Sequence, residues 1–374
     1  GELSLVAGAG NLDLKWWGAS GSSGAVDLGG RIDVVAGTLN TVQAPDGLTL
    51  TLGAGANNHL TGVVSTTGDL TLQAGTAGLQ MSTAAALRAG GNLTVSATAN
   101  LLISELQAGA TSVTSVATTG TITGVTSTNS AAQVSGGIID LSAASLGTST
   151  HALTLDAVTH VVGGVSMDGV IRSITTSATP TSNAYLSVIT NTLPGNVRPT
   201  VSLGTASSQW SVGGELKLDA TTANLNLAGN ITAASVNMAS TAGSLNMTDG
   251  QSLAASGNIR LAGATGLGLS RINGDTTPGS SQAVTLESAD GYISDLTSAE
   301  LANVVSAGSL SLSARSIGSN DVADIDLDVT RIASVTTTLG AGFLESLPTS
   351  GLTLNTANLA GALNLQVSQG DLQL

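Results

Sequence analysis

A short pattern of alternation recurs along this chain at a nearly constant interval, and few folds satisfy it. Leu216-Lys217-Leu218, Val236-Asn237-Met238 and Ile259-Arg260-Leu261 begin 20 and then 23 residues apart. An interleaved set, Leu225-Asn226-Leu227, Leu245-Asn246-Met247 and Leu267-Gly268-Leu269, follows at 20 and 22. In an extended chain the outer pair of each triplet turns to one face and the middle residue to the other, which is strand periodicity, not helix periodicity. A chain that coils about its own core, one turn per 20–23 residues, lets each triplet bury its apolar pair against the next. The expected fold is all-β: a β-solenoid running through 1–374 as a single quasi-linear unit.

Composition agrees. Hydrophobic residues make up 41% of the chain, aromatics 2% and charged residues 9%, with 48 Gly. Disorder requires low hydrophobicity with high net charge, so a folded chain with a thin core of Leu, Val, Ile and Ala is expected. The net charge of −14, with Lys15 and Lys217 the only lysines, disfavours nucleic acid or an anionic membrane surface as partner. No cysteine is present, so disulfides and thiolate metal sites are excluded. No apolar run approaches the ~18–20 residues of a membrane-spanning helix, and no membrane insertion is expected. Gly1 is not followed by a charged-then-apolar leader, so any export signal is expected outside this stretch. Gly370-Asp-Leu-Gln-Leu374 ends inside another triplet, which reads as a piece of something longer.

Taken in order, the triplets start at Leu3-Ser4-Leu5 and continue through Leu48-Thr49-Leu50, Leu70-Thr71-Leu72 and Leu93-Thr94-Val95 at spacings of 22 and 23. Gly followed by one residue often precedes them, as in Gly68-Asp69, Gly91-Asn92 and Gly257-Asn258; Gly tolerates tight corners, and Asn or Asp bonds back to nearby backbone. From about Ala110 to Ser149 small residues dominate and a thinner section is expected. Pro180, Pro194 and Pro199 interrupt Thr176 to Thr200, since proline donates nothing to a ladder, and extra-coil loops are expected near 176–204 and, around Pro278, near 273–283. Thr297-Ser-Ala-Glu300 has capping-box spacing and predicts one short helical turn. Some 15 to 17 coils at the ~4.8 Å strand separation would give a rod of roughly 70 to 80 Å.

The lead-ins Gly68-Asp-Leu-Thr-Leu72, Gly91-Asn-Leu-Thr-Val95, Gly257-Asn-Ile-Arg-Leu261 and Gly308-Ser-Leu-Ser-Leu312 resemble the repeats of filamentous-haemagglutinin-like exoproteins and giant bacterial adhesins. So does Ile293-Ser-Asp-Leu-Thr-Ser-Ala-Glu-Leu-Ala302. The resemblance implies a right-handed parallel β-helix, secretion to a bacterial cell surface, and work as a stalk or adhesive filament. It covers nearly the whole chain with short motifs, and the family's amino-terminal secretion domain is not recognisable in it.

Candidate sites are sparse. The densest acidic group is Asp321, Asp324, Asp326 and Asp328; alternation puts Asp324, Asp326 and Asp328 on one outward face, a candidate site for a hard cation such as Ca²⁺, although a solvated strand face is the simpler reading. Trp16-Trp17 must point to opposite faces of any strand. With Tyr185, Trp210 and Tyr292 they are candidate glycan contacts, because flat rings stack on sugars; core filling is the alternative. His59, His151 and His160 are far apart in sequence and lack metal-ligand spacing. Thr49-x-Thr51 and Thr121-x-Thr123 have the pattern of ice-binding lattices, but the equivalent outward slot holds Lys217, Asn237 and Arg260 in successive coils. Asn92-Leu-Thr, Asn230-Ile-Thr and Asn246-Met-Thr match glycosylation acceptors, a weak signal in a Thr-rich chain.

The expected function is therefore structural: an extracellular shaft segment that meets neighbouring segments or copies end to end, without a catalytic centre or resident cofactor. Two alternatives remain, a glycan-binding adhesin module touching host or environmental glycans, and a carbohydrate-active β-helix enzyme, which would need at least two carboxylates facing a groove.

Overall fold

The computed structural model describes residues 3–6, 11–12, 30–35, 38–39, 42–44, 48–52, 58–60, 63–125, 132–158, 160–162, 165–167, 169–190, 198–276, 280–298, 304–319, 324–347 and 351–374. Among them the chain is all-β, with parallel strands stacked as a β-solenoid. The only helical element described is a single 3-10 turn at Gly75–Ala77. Two compact units form, Gly1–Ser177 with Thr181–Thr190, and Ala178–Pro180 with Asn191–Leu374.

In much of both units a strand pairs with the strand three places further along the chain, or two places where a long strand such as Gln209–Ala220 or Asn230–Ser240 runs over two faces, so these coils have three faces. In the first unit the inward residues form columns Leu72–Val95–Val116–Leu141, Leu79–Leu101–Ile122–Leu146 and Leu87–Leu106–Val134–Leu155. All twelve are at most 1% exposed. The second unit repeats the arrangement with Leu218–Met238–Leu261–Leu286–Leu312, Leu225–Leu245–Leu267–Ile293 and Ile231–Leu253–Ile272–Val305–Leu327. The sequence triplets are thus rungs in register, and the parallel ladders satisfy each strand's donors and acceptors from coil to coil. Burying one Leu side chain contributes roughly 1.5–3 kcal/mol, and each column multiplies that gain.

The structure departs from the sequence expectation in several places. Some coils run longer than the expected 20–23 residues. Leu141 pairs with Ile174 and Ile272 with Val305, both 33 residues on. The first of these long coils carries a hairpin, His160–Val162 antiparallel to Val165–Met167. The span 176–204 holds two rungs: Ala184–Val188 pairs with Leu153–Leu155, and Thr200–Leu203 with Asn224–Leu227. Proline is accommodated because Pro180 lies in a turn and Pro199 immediately precedes its strand, positions that need no ladder donor. Pro194 and Pro278 lie outside the described residues. Across 110–149 all three faces continue, and the polar Thr114, fully buried, donates its hydroxyl to Ser135 O at 2.6 Å.

The corners use their Asn residues differently from the local back-bonding expected. The side-chain oxygen of Asn92 accepts the N–H of Val113, Asn100 that of Thr121, Asn224 that of Ser244, Asn230 that of Ser252 and Asn258 that of Ala283, at 2.9–3.0 Å. Each bond reaches the following coil, so a corner side chain ties one winding to the next.

Candidate functional site

The strand Ile325–Val329 places Ile325, Leu327 and Val329 inward. Alternation therefore turns Asp326 away from the core, yet it is only 2% exposed. The reason is the next rung. Ile325 pairs with Leu344, Asp326 with Glu345 and Leu327 with Ser346, so the Glu345 carboxylate comes alongside Asp326 while Asp324, at the bend before the strand, turns toward both. An oxygen from each of Asp324, Asp326 and Glu345 lies within 4.8 Å of the other two, and all three residues are buried. Glu345 Oε1 also accepts hydrogen bonds from Gln366 Nε2 at 3.2 Å and from the Ser368 hydroxyl.

This corrects the expected set of Asp324, Asp326 and Asp328. Asp328 is half-buried beside Ser306 of the preceding rung, and it is replaced in the group by Glu345. Residues two apart along a strand are separated by about 6.6 Å, whereas neighbouring rungs lie ~4.8 Å apart, so a third carboxylate is closer across the ladder than along it. The signal was present in the sequence: Glu345 stands 19 residues after Asp326, one coil on. Asp321 lies outside the described residues.

Oxygen-only donors are the ligand set of a hard cation, and Asp324, Asp326 and Glu345 are the residues that could hold one.

The aromatic candidates separate. Trp210 has no exposed surface and stands in an inward column with Ile231 as rung partner; a ring enclosed on all sides offers no face to a sugar, and the core-filling alternative describes it. Tyr185, in the first unit, is half-buried on its strand. Tyr292, in the second, is 56% exposed. Trp16 and Trp17 lie outside the described residues. Of the histidines, His151 is exposed and paired with the Thr150 hydroxyl at 3.0 Å, and His59 and His160 are on separate strands.

A second acidic feature occupies the expected capping box. The backbone N–H and hydroxyl of Thr297 both donate to the Asp295 carboxylate, at 2.6 and 2.9 Å, and Asp249 accepts from the N–H of Ser298. Thr297 and Ser298 are not helical, and Ala299 and Glu300 lie outside the described residues. Burial pushes the Asp295 carboxyl upward, the bonds from Thr297 pull it down, and the nearby charge of Asp249 raises it again.

The outward slot beside Leu216 and Leu218 runs Lys217, Asn237, Arg260 and Thr285 in successive rungs. That mixture, with Arg260 paired to Glu287, is not a repeated lattice.

Comparison with protein-family models, with curated proteins and with solved structures found no match. No described helix is long and apolar enough to cross a membrane.

Proposed function

We propose that this chain is a shaft segment of an exported bacterial surface protein, working as a stalk or filament that spaces or assembles. The observation that carries this reading is the three inward aliphatic columns of each unit, held in register through successive coils. Such a stack adds length by repetition, and its stability is a sum over neighbouring coils that leaves the outer faces free to vary. The small, sparsely charged outer side chains suit a body that spaces other elements. The bacterial surface and end-to-end contacts with neighbouring segments come from the resemblance of the Gly-x-Leu-x-Leu lead-ins to adhesin repeats.

The carbohydrate-active reading is less well supported: the carboxylate trio found among the described residues is buried at 8% exposure or less.

Negative-stain electron microscopy of the purified chain over a range of concentrations tests the shaft. End-to-end particles that lengthen with concentration are expected. Isolated particles at every concentration, together with release of reducing ends from acidic polysaccharides, would contradict it.

A further inference from the structure

One outer face of the first unit departs from the plain ladder at a β-bulge. Along Gly169–Thr176, Ile171 pairs with Ile139 but Ser173 pairs with Asp140, so Arg172 is the extra residue. Bulges re-aim side chains, and they are enriched beside binding sites. Here the bulge turns Arg172 onto the face that carries Asp140. Arg172 Nε donates to Asp140 Oδ1 at 3.1 Å and Nη2 to Oδ2, while the Ser173 hydroxyl donates to the same Oδ1 at 2.7 Å. The pair borders a groove of about 320 Å³ that crosses three coils, with Ser115, Ala117, Ser142, Ser173 and Thr175 among its lining. That volume is at the lower end of the range for small-molecule sites.

The chemistry of the lining selects a ligand. Val116 and Leu141 are 1% exposed and point into the core, which leaves Ala117 as the apolar side chain of the lining that faces outward. The Arg172 charge is already answered by Asp140, and an anionic ligand gains little there. What remains is an array of mixed character: unused guanidinium N–H donors, carboxylate lone pairs, and hydroxyls that both donate and accept. A sugar hydroxyl also does both, and two neighbouring hydroxyls match the two-pronged geometry of a guanidinium–carboxylate pair.

The geometry points to this groove, at Ser115, Ala117, Asp140, Ser142 and Arg172, as a binding site for an uncharged oligosaccharide. It does not rest on the shaft reading, since a spacer or an isolated module could carry the same groove.

Isothermal titration of the full chain with neutral hexasaccharides of β-1,4-linked glucose and of β-1,4-linked mannose, and with a hyaluronan hexasaccharide as the acidic comparison, tests it. Ala117 is exposed and outward, so Ala117→Leu fills the groove without entering the core. The expected result is binding of at least one neutral sugar, weakened about tenfold or more by Ala117→Leu, the loss of one or two hydrogen bonds, and unaffected by Asn226→Leu on the second unit. Ser142→Leu serves in its place should Ala117→Leu lower the melting temperature. Binding of no neutral sugar, binding of hyaluronan alone, or equal binding by wild type and the groove-filling variant would each overturn the assignment.

Discussion

Leu218 and Leu245 have no exposed surface and stand in columns with Met238 and Leu225 as rung partners. Replacing either by Asp buries an unpaired charge, and a loss of several kcal/mol in urea unfolding is expected. Asn226, between Leu225 and Leu227 on its strand, faces outward and accepts a 3.3 Å bond from Thr248, so Asn226→Asp should leave the midpoint nearly unchanged. Asp156 gives a pH-dependent case. Burial raises its carboxyl, so the folded protein holds that proton to higher pH than the unfolded chain does. Its contribution to stability is full below the unfolded value and is lost as pH rises through the folded one. Asp156→Asn should therefore melt above wild type at pH 7, and the gain should vanish as pH falls below the ordinary carboxylate range. In the carboxylate trio, Glu345→Gln removes one of three crowded carboxylates and keeps an oxygen for Gln366 and Ser368. With cations chelated by EDTA, it should melt higher than wild type; an unchanged or lower melting temperature would count against mutual repulsion there.

Among the elements, strands and corners were legible to different degrees. Strands were readable because period-2 alternation is local: the triplets at Leu216, Val236 and Ile259 became partners in one ladder. Corners were half readable. Gly257-Asn258 marks a turn, but the destination of the Asn258 side chain, the N–H of Ala283, is set by the coil above and not by neighbours in sequence. Glu345 was missed for the same reason, since its partner Asp326 lies one coil away. The hairpin at His160–Met167 did carry a signal, Gly163-Gly164 between two apolar runs, of the kind that joins antiparallel strands. Trp210 was ambiguous because alternation fixes opposite faces without saying which is inward. The corner bonds yield an expectation of their own. Asn224→Ala leaves the N–H of Ser244 without its acceptor and should cost about 1–2 kcal/mol, more than the outward Asn226→Ala, when both are compared by chemical denaturation.

At the scale of the whole molecule register is decisive: away from the bulges, outward positions of the described strands have defined neighbours on the next winding. The chain contains no cysteine, so introduced pairs report on register without interference. Asn226 lies opposite Asn246, and Thr94 opposite Ser115, at the ~4.8 Å rung spacing that a disulfide can bridge. Ser244, by contrast, stands two places out of register with Asn226. Under mild oxidation Asn226→Cys/Asn246→Cys and Thr94→Cys/Ser115→Cys should close to near completion, while Asn226→Cys/Ser244→Cys stays reduced. Equal closure of the offset pair, or failure of both in-register pairs in a protein that remains β-structured, would contradict the stacked-coil arrangement on which the shaft reading rests.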